Sequence, residues 1–227
     1  MSGMIRFDNV YYHYRDRAVI NGLSLELSER RIGIVGSNGS GKSTLSRLLN
    51  GLLAPSEGHI TVNGLDTRTQ ARKVRQQVGL VFQNPDSQIV LPTVAEDLAF
   101  GLRHQKVPKP RIDELIDEVL SRHDLQDYRD TPIHHLSGGQ KQLVALSGVL
   151  VMSPQWLVLD EPTTLLDLRN RRRITRVIER LEQRAIVISH DLELMQHMER
   201  IIVLDKGKVA LDASPDIALP FYTEHMA

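Results

Sequence analysis

The chain predicts an α/β fold built on a partly parallel sheet, with a helical lobe inserted near its middle. Three observations carry that expectation. Short apolar runs alternate with helical patterns, the sign of βαβ units. One such run, Arg31-Ile32-Gly33-Ile34-Val35, feeds straight into a glycine-rich stretch and then a helical pattern. Between Asn84 and Leu136 the character changes, and Pro85, Pro92, Pro108, Pro110 and Pro132 punctuate helical patterns instead of strands. At 227 residues this is one large domain or a domain with an inserted lobe. We expect a single domain, its α/β core at 1–83 and 151–227 and a helical subdomain spanning about 84–150.

The elements follow in order. Residues 31–35 form a buried strand, and Ser43 to Asn50 a helix that Gly51 closes. Ile60-Thr61-Val62 ends in the tight turn Asn63-Gly64, and Val78 to Phe82 is a further short strand ending at Gln83. Helices are expected over about Thr93–Arg103 and Arg111–His123. Leu143 to Met152 is the longest apolar stretch, broken by Ser147 and Gly148. It is far short of the roughly 18 residues a membrane span needs, so it reads as a core helix. Trp156 to Leu159, Ala185 to Ile188 and Ile201 to Leu204 are further buried strands, the last turning at Lys206-Gly207.

Composition narrows the function. Lys+Arg and Asp+Glu both number 28, so the chain lacks the basic field of a nucleic-acid binder. The absence of cysteine excludes disulfides, thiol nucleophiles and Cys-based zinc sites, and it suits a reducing cytosol. Met1 to Val10 contains Arg6 and Asp8 and reads as no signal segment. Arg169, Arg171, Arg172 and Arg173 form a basic run on an expected helix with Glu179 and Glu182 following, and it reads as a solvated face.

The chemistry is concentrated in a few places. Gly36-Ser37-Asn38-Gly39-Ser40-Gly41-Lys42-Ser43-Thr44 is a complete G-x-x-x-x-G-K-[ST] phosphate loop. Its glycines let backbone N–H groups approach phosphate oxygens, and the following helix adds its N-terminal dipole. Lys42 is placed to reach β- and γ-phosphates, and Ser43 to ligate Mg²⁺. Asp160 and Glu161 end the strand that starts at Trp156. A carboxylate there lies beside the loop in a parallel sheet, so Asp160 suits Mg²⁺ and Glu161 an attacking water. Gln83 and His190 occupy two more strand tips, while His134 and His135 carry no metal-ligand spacing and read as surface. Leu136-Ser137-Gly138-Gly139-Gln140 places a hydroxyl and two glycines where a helix opens, a second potential nest for anionic oxygens.

The order of the loop, Gln83, Leu136–Gln140, Trp156–Glu161, Asp167 and His190 resembles the nucleotide-binding subunit of ATP-binding cassette (ABC) transporters. The resemblance covers nearly the whole chain, and the Leu-Ser-Gly-Gly-Gln motif is its most specific part. It implies the ABC cassette of P-loop NTPases: a RecA-like mixed sheet core, an antiparallel β region and an inserted α-helical lobe. It also implies that Tyr14 stacks on adenine, with Tyr11 and Tyr12 as competitors. Gln83 would touch Mg²⁺ and the attacking water while sensing a membrane partner. Ser137, Gly138 and Gly139, with Gln140 and Asp167 beside them, would complete the site of a second copy. Glu161 would be the general base and His190 a γ-phosphate contact. The implied partners are a second ATPase copy or paralogue, head to tail, an integral membrane coupling protein and a substrate-binding membrane protein. The implied place is the cytoplasmic face of the cell membrane.

Phe82–Gln88 and Thr93–Gly101 look like the ATPases of energy-coupling factor (ECF) importers of vitamins and transition-metal ions. Within that group Thr163–Leu168 and the short length are most similar to the biotin-importer ATPase, and the chain ends near Ala227 without the extension of longer members. Exporter or amino-acid-importer cassettes, and a soluble non-transport cassette, are the competing readings. One departure stands out: Thr164-Leu165-Leu166-Asp167 replaces the usual Ser-Ala-Leu-Asp. Bulky Leu165 implies either repacking within the chain or altered closure between two ATP sites.

Overall fold

The computed structural model describes residues 3–226. Strands β1 (Ile5–Tyr14) and β2 (Arg17–Leu27) form a hairpin, and β3 (Arg31–Gly36) leads into helix α1 (Lys42–Leu49). β4 (Glu57–Val62), β5 (Leu65–Asp66), α2 (Ala71–Gln77) and β6 (Val78–Val81) follow. Then come α3 (Val94–His104), α4 (Lys109–Arg122) and α5 (Gly138–Leu150), with one short 3₁₀ turn before α3 and two between α4 and α5. The chain closes with β7 (Trp156–Asp160), α6 (Leu168–Glu179), β8 (Arg184–Ile188), α7 (Leu192–Met195), β9 (Arg200–Asp205), β10 (Lys208–Ala213) and α8 (Pro215–His225). No helix among the described residues is long and apolar enough to cross a membrane.

Two sheets organise these elements. One is antiparallel with order β2-β1-β4-β5; the other has order β10-β9-β3-β8-β7-β6. Strands β9, β3, β8, β7 and β6 of the second run parallel, with β10 antiparallel at its edge. The inner strands β3 and β7 are buried along their whole length, because helices and the other sheet cover both faces. In the first sheet Leu23, Leu25 and Leu27 alternate inward with the two-residue period of a half-buried strand. Between the two sheets Leu45, Leu48 and Leu49 of α1 pack on Ile5, Ile20 and Ile34. The opposite face of the parallel sheet carries a second core, which continues into α3, α4 and α5 through Leu98, Leu120, Leu143 and Leu146.

Parallel registry positions the chemistry. Ile34 of β3, Ile188 of β8 and Asp160 of β7 form one row across three adjacent strands. The residues just beyond that row, at the C-terminal ends, therefore share one crevice.

One buried titratable group lies in the lobe, away from that crevice. His123 follows α4 and sets Nδ1 2.7 Å from the Ser147 hydroxyl. Burial, with help from Arg122 and Arg173, lowers its pKa to about 4. The unfolded chain takes up a proton as pH falls through about 6.5, while the folded chain resists until about 4. Stability contributed here is thus present at neutral pH and lost on acidification. Between pH 8 and pH 5 the loss is about 2 kcal/mol. Denaturant titrations at the two pH values are expected to show a smaller difference for His123→Asn than for the unaltered protein.

Candidate active site

The phosphate loop is fixed by close backbone approach. At Gly36, φ +157°, an added Cβ would strike the Leu204 carbonyl oxygen. At Gly41, φ +106°, it would lie 2.9 Å from Ile20 Cδ1, in a left-handed conformation that favours glycine. Gly41 caps α1, so the first N–H groups of that helix face the loop. Lys42 is buried, and its ammonium donates to the carbonyls of Gly36 at 2.6 Å and Ser37 at 3.0 Å. Burial lowers its pKa, opposed by the charges of Glu161 and Asp160. The buried Ser40 hydroxyl has no partner among the described residues. Orphaned donors around a helix N-terminus fit a polyphosphate.

Asp160 stands against α1. Ser43 Oγ donates to its Oδ1 at 3.3 Å and Ser46 Oγ to its Oδ2 at 3.2 Å. Burial raises the Asp160 pKa, while the two hydroxyls oppose the rise. A hydroxyl beside one carboxylate is a hard oxygen set, and a cation that takes its remaining ligands from water and phosphate fits it. Mg²⁺ is that kind of cation.

Glu161 follows in the left-handed region at φ +53°, its N–H bonded to Ile188 O at 2.8 Å. That turn carries its carboxylate across β8. Thr164 Oγ1 donates to Oε2 at 2.7 Å, and the His190 N–H stands 3.4 Å from the same oxygen. Among the described residues the buried Oε1 lacks a partner of hydrogen-bond geometry, although His190 Nε2 is 3.3 Å away. An oriented carboxylate with one uncommitted oxygen can accept a proton from water.

The remaining expected residues sit around this centre or apart from it. Tyr14 ends β1, 43% exposed and packed edge-on against Tyr12 at 4.9 Å. Tyr12 is more covered, and Tyr11 packs its hydroxyl toward Gly22, which leaves Tyr14 the most accessible ring of the three. Gln83 is exposed beyond β6, beside a cavity of about 170 Å³ shared with Gly138 and Leu165. Ser137 caps α5 in a reciprocal box: Gln140 N–H donates to Ser137 Oγ at 3.3 Å and Ser137 N–H to Gln140 Oε1 at 2.8 Å. Ser137 and Gly138 are exposed, and a Cβ on Gly138 would meet nothing within 4 Å. Gly139 is buried against the Asn170 side chain. Asp167 caps α6 through the Asn170 N–H at 2.8 Å.

These features match a known family. The family model described as ABC transporter matches residues 20–164, from β2 through the phosphate loop and the Leu136–Gln140 motif to Thr164. This chain belongs to that family. A chain of Deinococcus radiodurans named only as an ABC transporter ATP-binding protein is 57% identical over 98% of this chain and 99% of its own. The biotin transport ATP-binding protein BioM of Rhizobium etli is 42% identical over 97% of this chain and 98% of its own. The energy-coupling factor ATP-binding protein EcfA1 of Bacillus subtilis is 40% identical over 94% and 79%. The solved structure of CbiO1 from Clostridium perfringens, part of the ABC transporter complex CbiONQ, superimposes with a TM-score of 0.84 at 32% identity. That match covers 95% of this chain and 90% of the other. The cassette is an ATPase subunit of the ECF type, and it binds and hydrolyses ATP.

Several contacts of the ABC site were not expected from sequence. Ser46 lies one turn beyond Ser43, a spacing that marks a shared helix face. Thr164 and Ser189 flank Glu161 without any motif of their own. Tyr222 reaches His190 from the C-terminal helix α8. Leu165 is 68% exposed, so no repacking within the chain hides it. Leu165→Ala is expected to alter ATP-driven dimerisation, read by size-exclusion chromatography, if that side chain meets a second cassette. Unchanged closure would make the residue a neutral variation.

Proposed function

We propose that this cassette powers import of a vitamin, biotin in the first place, or of a transition-metal ion, as one of two ATPase subunits on the cytoplasmic face of a membrane transporter. Hydrolysis rests on one observation: the uncommitted Glu161 oxygen beside His190, at the end of the strand whose Asp160 faces Ser43. In the ATP complex the loop from Gly36 to Thr44 holds the phosphates, Lys42 turns its ammonium from the loop carbonyls to them, and Tyr14 covers the adenine. Ser43, Asp160 and Gln83 would hold Mg²⁺, which when bound neutralises charge on the β- and γ-phosphate oxygens. Glu161 orients the attacking water and takes its proton, and His190 donates to the γ-phosphate. Ser137, Gly138, Gly139 and Gln140, with Asp167, close over the nucleotide held by a second copy. The open exposure of Ser137 and Gly138 supports that role.

The import reading draws on ECF-type relatives and the biotin reading on BioM. A membrane coupling protein would dock near Gln83, and a separate membrane protein would carry the substrate. The test is purification of the complex from source membranes in mild detergent, with mass spectrometry of the small molecule retained. Bound biotin is the expected result. A transition-metal ion, or another vitamin, would overturn the biotin assignment and leave the ATPase assignment standing.

A further inference from the structure

His190 is held from two sides. Its Nε2 stands 3.3 Å from Glu161 Oε1, and its Nδ1 stands 2.9 Å from the Tyr222 hydroxyl. Tyr222 is 5% exposed and lies on α8 just past Pro220, in the core that also contains Leu194, Met195 and Val203. We propose that Tyr222 is a positioning residue for ATP hydrolysis: it donates its hydroxyl proton to His190 Nδ1 and fixes the imidazole proton on Nε2.

The assignment follows from counting donors. A neutral imidazole has one N–H and one lone pair. Nε2 lies 3.3 Å from the Glu161 carboxylate without hydrogen-bond alignment, so a lone pair there would repel that charge while an N–H would be attracted to it; the N–H belongs on Nε2. Nδ1 is then an acceptor and needs a donor, and the Tyr222 O–H is within reach. Burial first, and the Glu161 charge second, raise the Tyr222 pKa above its ordinary 10.0, so the hydroxyl keeps its proton. A histidine is commonly oriented through the bond its other nitrogen makes. Here that bond comes from the end of the chain. Nε2 is the ring nitrogen on the Glu161 side, and with its proton there it could donate to a γ-phosphate. This catalytic consequence rests on the proposed role of His190; the tautomer does not.

The test uses the full chain labelled with ¹⁵N-histidine. Long-range ¹H–¹⁵N spectra report the protonation of each ring nitrogen, and the His190→Ala spectrum identifies which of the nine histidines is His190. In the unaltered protein His190 is expected as the single Nε2–H tautomer. In Tyr222→Phe, whose ring fills the same space, its shifts should move toward the average of both tautomers. Turnover should fall about tenfold with KM for ATP nearly unchanged, the effect of one lost hydrogen bond acting in the transition state. A protonated Nδ1 in the unaltered protein, or an unchanged His190 spectrum in Tyr222→Phe, overturns the inference. Full activity of His190→Ala is a separate failure: it removes the catalytic role and leaves the tautomer to be judged by the spectra.

Discussion

Replacing Glu161 by Gln is expected to stop hydrolysis while leaving ATP binding intact. The substitution keeps the length and shape of the side chain and removes its basicity together with its negative charge. Gln has the same length, and its carbonyl oxygen can still accept from Thr164, now 2.7 Å from Oε2. The backbone turn at φ +53° is kept by the bond from the Glu161 N–H to the Ile188 carbonyl, which the substitution does not touch. What disappears is the proton acceptor, worth roughly 10²- to 10⁴-fold in turnover for a positioned base. Phosphate release and equilibrium ATP binding, measured on the same preparation, separate the two effects. Because ATP stays whole, the variant should also accumulate as a nucleotide-bound dimer. Near-normal hydrolysis would remove Glu161 from the role. Weak binding with proportionately weak hydrolysis would mean that its charge serves the nucleotide instead, through Lys42.

How much of this was legible in the sequence depended on whether a signal was continuous. β3, β7, β8 and β9 are buried on both faces, so their apolar runs are unbroken and stand out. The phosphate loop and the Leu136–Gln140 box are legible because tight backbone turns and reciprocal capping tolerate few residue types. β1 and β2 escape direct reading for the converse reason. They bury one face, shift register at Val10 and Tyr12, and interleave charged residues with Ile5, Phe7 and Leu25. The partners of the reacting groups were hidden more thoroughly. Tyr222 meets His190 across 32 residues, and nothing local in Pro215–His225 marks it as more than a core position. Leu165 could be recognised as unusual from sequence, whereas its exposure required the fold. Contacts made by topology leave no periodicity behind.

Lys42→Ala is expected to act in the opposite way from Glu161→Gln, on affinity more than on the chemical step. Among the described residues the buried Lys42 ammonium is hydrogen-bonded only to two loop carbonyls, and burial already pulls its pKa down. A buried cation hydrogen-bonded to neutral carbonyls, with Glu161 and Asp160 acting on it only through space, is poorly compensated, so truncating it should leave the free protein nearly as stable. Against a triphosphate the balance reverses. Charge-assisted hydrogen bonds replace carbonyl contacts, and removing up to about 3 kcal/mol of such bonding weakens ATP binding roughly 10²-fold. Thermal unfolding should therefore respond little to the substitution without nucleotide, while the ATP-induced rise in midpoint should largely vanish. Arginine should rescue poorly, because its fork is planar and wider than the ammonium the loop encloses. Unchanged ATP affinity in Lys42→Ala would contradict the loop assignment itself. The double variant adds a further check. If Lys42 governs binding and Glu161 the chemical step, Lys42→Ala/Glu161→Gln should bind ATP as weakly as Lys42→Ala alone. If instead the double variant binds more tightly than Lys42→Ala, the Glu161 charge opposes the triphosphate once the ammonium is gone. The two residues would then form one electrostatic unit around the γ-phosphate.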